Sequence, residues 1–307
     1  MSRILCIVDG MTDAGFIPAD YPALGVMCLK EYRDTCRGGE PESLSCILHL
    51  LGVEDVPPYL RGYAEALGSG VTVGKRDLIL RGSWFGIDEQ GLCTLPIPAP
   101  MKTAVPACCR YVQLGEYRSL LIWKDRADCV EKIVTFPPYE CAGEPAERLC
   151  PKGCAALEDA YKSWIRSGKC LIPWGQSVCA ELPPFPQRAA VITGTTVVKG
   201  IAKLMGMDLA SSADATGDVD TDLRGKCVAA LAAAEKYPFV LLHINGADEA
   251  AHRKNPREKE FFLRRVDREV LRPLLCSGHE IIVTADHGTD PQSGRHLAVP
   301  QPVFVSR

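Results

Sequence analysis

The 307-residue chain lacks several features that would point to a compartment or a partner. No apolar run reaches membrane length. The N-terminal MSRILCIVDGMTD offers only Ile4 to Val8 before Asp9, too short for a membrane span or a signal-peptide core. That predicts a cytoplasmic protein without a membrane partner. An excess of positive charge is also missing: the net charge is −3, so no broad basic field recruits nucleic acid or an anionic surface. A small phosphorylated substrate would have to be held by local positive charge or by metal. Among 15 cysteines there is no C-x-x-C pair. The nearest approach to a zinc motif, Cys141, Cys150 and Cys154, is too widely spaced and has no partner pair. The cysteines are odd in number and scattered, and several (Cys6, Cys46, Cys227) sit in apolar runs. They read as structural thiols in a reducing compartment. Internal repeats and low-complexity tails are absent as well.

What is present is an α/β pattern. Ile4–Val8, Phe239–Ile244 and Ile281–Thr284 are short, β-branched and apolar without alternation, as buried parallel strands are. Ala190–Thr193 is a fourth candidate. Helical spacing covers Val197–Met205, Leu223–Tyr237 and Glu258–Leu274 between them. From about Val71 to Lys169 the chain turns rich in Pro and Cys, with short extended pieces at Ser119–Trp123 and Lys132–Phe136. The expectation is a discontinuous core, residues 1–70 and 171–307, with a mostly parallel sheet flanked by helices. A smaller α+β domain, residues 71–170, would be inserted as a lid.

The stretch EIIVTADHGTD, residues 280–290, poses the functional question. A solvated turn would explain Asp286, His287 and Gly288 if they stood alone. Yet each of the three strongest strands ends near a carboxylate: Asp9, Asp248 and Asp286. Ligands bind outside the carboxyl ends of parallel strands, so three distant acids would meet in one crevice. Like charges there need a cation between them. Asp248 and His252 are spaced i, i+4, His287 adjoins Asp286, and His296 follows nine residues later. Mixed carboxylate and imidazole donors suit two divalent metals such as Mn²⁺ or Zn²⁺, with Mg²⁺ a further candidate. Pro41–Gly52, PESLSCILHLLG, adds a hydroxyl at the start of a short helix, where N–H groups favour phosphate. Spacing alone leaves Ser43, Ser45 and an ordinary capping serine all open.

At these residues the chain resembles the cofactor-independent phosphoglycerate mutases of the archaeal type, within the alkaline phosphatase superfamily. The resemblance runs through VDGMTD, LLGVEDVPPYLRGYAEALGSG, DLILRGSW, PWGQS, AVITGTTVVKGIAKLMGM, ATGDVDT, HINGADEAAH and TADHGTD. It implies an alkaline-phosphatase-like core in which Asp9, Ser43, Asp286 and His287 hold one metal and Asp248, His252 and His296 the other. It also implies that Ser43 takes up the phosphoryl group and returns it to another hydroxyl of the same glycerate. Arg61, Arg81 and Lys199 would then neutralise the substrate's phosphate and carboxylate.

The family's serine motif runs Gly-Ser-Asp-Thr-Ala-His, whereas this chain has Glu42-Ser43-Leu44-Ser45-Cys46-Ile47. No paired-arginine R-A-G-R stretch follows in the insertion. Two further readings therefore stand beside the mutase: a metal-dependent phosphatase or phosphotransferase for another small alcohol, and a metal-binding pseudoenzyme with a regulatory role. Other signals point away from function. Asp218, Asp220 and Asp222 mimic an EF-hand start, but Leu223 and Ala229 replace its Gly and Glu. Arg253, Lys254, Arg257 and Lys259 read as a solvated basic helix face.

Overall fold

The computed structural model describes all residues except 101–103, 116, 139–140, 166–167, 211, 213 and 307. Its first compact unit joins Met1–Val56 to Leu182–Arg307, and its second is Pro57–Glu181. In chain order the first unit begins with β1 (Arg3–Val8), α1 (Pro22–Gly25), β2 (Cys28–Arg33) and α2 (Ser43–Leu50). The second unit follows with α3 (Arg61–Gly68), β3 (Leu78–Ile87), β4 (Cys93–Pro96), β5 (Cys109–Gln113), β6 (Arg118–Trp123), α4 (Ala155–Ile165) and β7 (Lys169–Ser177). The chain then returns to the first unit through β8 (Ala189–Ile192), α5 (Thr196–Leu204), β9 (Asp208–Leu209), α6 (Leu223–Ala234) and β10 (Phe239–Ile244). Next come α7 (Gly246–His252), α8 (Pro256–Val266), α9 (Arg272–Leu275), β11 (Glu280–Thr284), β12 (Gly288–Thr289), β13 (His296–Leu297) and β14 (Gln301–Val305).

The first unit is built on a seven-stranded sheet in the order β2-β14-β11-β1-β10-β8-β9. β11, β1, β10, β8 and β9 run parallel, and only the β14 pairings are antiparallel. β1 lies at the centre, with Arg3 opposite both Phe239 and Glu280. Every residue of β10 and all of β1 after Arg3 are buried, which explains their unbroken apolar sequences. Ile4, Cys6, Val8, Val240, Leu242, Ile244, Ile281 and Val283 share one core cluster with Cys227 and Ala230 of α6 and Phe262 and Val266 of α8.

In the second unit β3 pairs antiparallel with β6, β7 and, near its end, β4. Three expectations need correction. The unit boundaries fall at 56/57 and 181/182, not at 70/71 and 170/171. β7 is a full partner of β3, and α3 packs on both through Gly62, where a Cβ would lie 3.0 Å from the Ile79 and Gly175 carbonyls. Lys132–Phe136 is no strand: its only pairing is the isolated bridge Val134–Lys152. The helical stretch after Pro256 is interrupted by a π-helical turn at Asp267–Leu271. Pro273 follows and cannot donate its backbone nitrogen. The Asp267 carboxylate accepts instead from the N–H groups of Ala23 and Leu24, at 3.1 and 2.9 Å, at the start of α1.

Candidate metal centre

Parallel pairing aligns the carboxyl ends of β1, β10 and β11, and the loops that leave them carry the acids. Asp9 follows β1, and its N–H donates to the Ile244 carbonyl at 2.9 Å. Asp248 sits in the first turn of α7, two residues after that helix begins. Asp286 and His287 span the gap between β11 and β12. Two glycines let these loops close on one another. Gly10 has φ +65°, and a Cβ there would lie 2.8 Å from Asp248 Cα and 2.9 Å from Thr289 Oγ1. At Gly288 it would lie 2.8 Å from Thr12 Oγ1. Gly10 and Gly288 form a bridge of their own. The Asp-Gly and His-Gly pairs are therefore demanded by close approach, and Asp286 and His287 are fully buried, unlike a solvated turn.

The donor atoms stand at the spacing of ligands around an ion. Asp248, His252 and His296 form one group, while Asp9 combines with Asp248 and His287 and again with His243 and Asp286. His252 Nε2 is 3.2 Å from Asp248 Oδ2, and His296 Nε2 is 3.5 Å from Asp248 Oδ1. His287 Nε2 is 3.5 Å from Asp9 Oδ1 and 3.6 Å from Asp286 Oδ2. Two donors each about 2.1 Å from one ion lie about 3.0–3.4 Å apart, whereas a charge-assisted hydrogen bond is nearer 2.8 Å. Asp9 Oδ1 and both Asp286 carboxylate oxygens are buried with no hydrogen-bond partner. Orphaned anionic oxygens at this depth fit a divalent cation.

Each imidazole is oriented by its other nitrogen. Nδ1 of His252 faces the Gly294 carbonyl at 2.8 Å, that of His296 the Pro41 carbonyl at 2.6 Å, and that of His287 the Gly288 carbonyl at 3.2 Å. This is how metal-ligating histidines are normally held, with Nε2 turned towards the cluster, where those of His252 and His296 lie 3.0 Å apart. Thr289 Oγ1 donates to Asp248 Oδ1 at 2.7 Å. β12 and β13 pair Thr289 with His296, so the same short ribbon sets both Asp248 and the second histidine.

The electrostatics match a site poised for cations. Burial, followed by the charges of Asp286 and Asp248, pushes the Asp9 carboxyl well above its usual value. Burial and Asp248 push Asp286 up to about 7. Asp248 goes the other way: burial would raise it, but His252, His296 and His287 outweigh that and hold it below the usual carboxylate range. His252 is pushed up to about 9, since its attraction to Asp248 exceeds the opposing effect of burial. Burial, then the charge of His287, takes His296 down to about 4.

Ser43 is the first residue of α2, with Glu42 at the cap position, and its Oγ is 3.1 Å from His287 Nε2. Ser45 Oγ donates instead to the Glu42 carbonyl at 3.0 Å. Of the two serines, Ser43 is thus the one facing the cluster. Leu44 and Ile47, where the family motif is polar, are buried in the core. Lys199 lies half-buried on α5, near enough to Lys226 for its charge to add to burial in lowering that amine's pKa. Arg61 and Arg81 belong to the second unit, where both contact Glu65 Oε1 at 3.3 Å. Their guanidinium carbons lie 5.5 and 4.5 Å from the Trp174 ring centroid. Burial lowers the buried Arg81 to about 10.

Sequence reading missed His243, hidden inside an apolar strand, and misread Lys259. That lysine is not on a solvated face. Its Nζ is buried and reaches Asp13 Oδ2 at 2.6 Å, the Thr289 carbonyl at 2.7 Å and the Thr12 carbonyl at 3.4 Å. It ties the loop after β1 to β12. The aspartates of the apparent EF-hand start are used structurally. Asp222 caps α6 through Gly225 N–H at 2.9 Å, and Asp218 holds Arg253 at 2.8 and 2.9 Å.

The Metalloenzyme superfamily matches residues 184–307. A solved Pyrococcus horikoshii protein shares the fold, with TM-score 0.72 over 99% of this chain and 87% of that one at 20% identity. Fold and matched region define an alkaline-phosphatase-like metalloenzyme, a class that implies divalent metal binding. Phosphoglycerate mutase 1 of Methanothermobacter thermautotrophicus, a 2,3-bisphosphoglycerate-independent enzyme, is 36% identical over 100% of this chain and 89% of its own length. The corresponding enzyme 1 of Archaeoglobus fulgidus is 34% identical over 99% and 88%. The chain belongs to the 2,3-bisphosphoglycerate-independent phosphoglycerate mutase family. No helix among the described residues is long and apolar enough to cross a membrane.

Proposed function

We propose that this protein interconverts 3-phosphoglycerate and 2-phosphoglycerate through a phosphoserine at Ser43. The observation that carries the reading is the Ser43 hydroxyl 3.1 Å from His287 Nε2, at the edge of a largely buried cluster of three aspartates and four histidines. Asp9, Ser43, Asp286 and His287 would hold one divalent metal, and Asp248, His252 and His296 the other. Manganese or zinc suits this mixture of oxygen and imidazole nitrogen. When bound, the two ions neutralise phosphoryl oxygens and make the serine hydroxyl more acidic.

Within the chain, α2 presents Ser43 at its N-terminal end, where backbone N–H groups favour the incoming phosphate. Serine Oγ bonds to phosphorus as the bond from phosphorus to the glycerate oxygen breaks. The hydroxyl proton leaves Ser43, and the departing glycerate oxygen takes up a proton. Reversing these events at the other glycerate hydroxyl completes the exchange. Arg61, Arg81 and Lys199 supply positive charge for the substrate's phosphate and carboxylate.

Phosphorus NMR of 3-phosphoglycerate with the protein and Mn²⁺ tests this. Growth of the 2-phosphoglycerate signal, lost in Ser43→Ala, supports the mutase. The apolar Leu44 and Ile47 beside the serine favour a second reading, a phosphatase. Free phosphate without 2-phosphoglycerate would replace the mutase by that reaction. An unchanged spectrum, with metal bound, would leave only a binding role.

A further inference from the structure

We infer that His243 is a metal ligand, its Nε2 joining Asp9 and Asp286 around the inner of the two ions. This deepens the two-metal reading above and rests on it.

His243 is the penultimate residue of β10, fully buried among strands that are otherwise apolar. A core histidine is ordinarily satisfied at both nitrogens. Here only one is. Nδ1 lies 2.9 Å from Thr195 Oγ1 and 3.3 Å from Thr193 Oγ1, while Nε2 has no hydrogen-bond partner. The orphan nitrogen points at Asp9, with Oδ2 3.5 Å away. An N–H on Nε2 would have a buried carboxylate in front of it and would close to about 2.8 Å. The observed 3.5 Å is too long for such a hydrogen bond and close to the spacing of neighbouring ligands of one ion.

The arrangement repeats that of the three recognised histidines. In each, Nδ1 is tied back to a fixed group and Nε2 faces the carboxylates. For His243 the fixed group is the Thr193–Thr195 turn after β8. There the Thr195 N–H already donates to Thr193 Oγ1 at 3.1 Å. With Nδ1–H donated to Thr195, the lone pair lies on Nε2. The donors of Asp9, His243 and Asp286 all fall within 4.8 Å of one another. Both Asp286 oxygens and Asp9 Oδ1 are orphaned beside it.

The consequence is metal choice. Two carboxylates, a hydroxyl and the single imidazole of His287 form a mainly oxygen site that magnesium would accept. Two imidazole nitrogens, from His287 and His243, favour manganese, cobalt or zinc. His243 would thus set the specificity of the inner site.

The test isolates that site in the full-length protein. A His252→Ala, His296→Ala variant removes two donors of the outer site, and pulsed EPR then counts the nitrogens coupled to the remaining Mn²⁺. Two inequivalent imidazole nitrogens are expected. Adding His243→Gln should leave one and weaken Mn²⁺ binding at least tenfold in calorimetry, with Mg²⁺ binding little changed. A single coupled nitrogen before that change overturns the inference, even with metal bound. So does unaltered Mn²⁺ affinity after it. If the glutamine variant fails to fold, the nitrogen count decides alone. If wild-type protein binds no Mn²⁺, the two-metal reading itself falls, a result distinct from the others.

Discussion

Replacing a buried ligand should make the metal-free protein more stable. Asp286 is fully buried, neither carboxylate oxygen has a hydrogen-bond partner, and its pKa stands at about 7 against an ordinary 3.8. A folded-state pKa above the unfolded one means that the folded protein holds the extra proton between about pH 4 and 7. Stability therefore falls as pH rises through that window, and the full penalty remains above it. At about 1.4 kcal/mol per tenfold, the penalty is on the order of 4 kcal/mol. Asp286→Asn removes it and substitutes a neutral amide with unmet hydrogen bonds, costing about 1–2 kcal/mol. The variant's metal-free form should gain about 2–3 kcal/mol at pH 8, or roughly 3–5 °C in Tm. At pH 5 the gain should vanish. Saturating Mn²⁺ should narrow this gap at pH 8, since wild type gains about 2.7 kcal/mol at a hundredfold excess over Kd and the variant gains less. The assay is thermal unfolding of chelator-treated protein at both pH values, with and without Mn²⁺. A metal-free Asp286→Asn that is less stable than wild type at pH 8 would refute the reasoning. It would mean that the protein itself holds this carboxylate, with no cation needed.

Three further outcomes are expected. His252 is protonated up to about pH 9 and must lose that proton to bind, so outer-site affinity should rise with pH until then. Calorimetry in buffers of different ionisation enthalpy should show proton release near pH 7.5, and its absence would contradict the His252–Asp248 pairing. Lys259→Met leaves the Asp13 carboxylate and the Thr12 and Thr289 carbonyls without their shared donor, costing about 3 kcal/mol in urea unfolding. A loss below about 0.5 kcal/mol would return Lys259 to the solvated surface. Gly10→Ala forces a Cβ to within 2.9 Å of Asp248 and Thr289 at a positive φ. It should cost more than about 1 kcal/mol and weaken Mn²⁺ binding, as titration would show.

The centre of the fold was legible because it is buried on both faces. β1, β10, β11 and β8 lie within a residue of their apolar runs, since nothing but apolar side chains suits such strands. The edges were not. β2 is exposed throughout and reads CLKEYR, and β14 carries Pro302, so neither has a strand's pattern. At the site, acids and histidines announce themselves by type and spacing, as Asp248 and His252 do across one helical turn. His243 does not, because an apolar run conceals it; a polar residue amid FVLLHI was the available signal. Lys259 shows the opposite failure. Its neighbours Arg253, Lys254 and Arg257 are charged, but burial is decided by Asp13, almost the whole chain away.

The pairing of β1 also has a bearing on synthesis. Its two neighbours are β10 and β11, so ILCIV leaves the ribosome more than 230 residues before either partner exists. At about 5–20 residues per second that wait is roughly ten to fifty seconds. The sheet of the second unit, by contrast, is complete within residues 57–181 and can close during the interval. Asp9 and Ser43 are made early, Asp286, His287 and His296 last. Capacity to bind metal thus marks a finished chain: a fragment stalled before β11 keeps an apolar strand exposed, a target for chaperones, and has no centre to close around an ion.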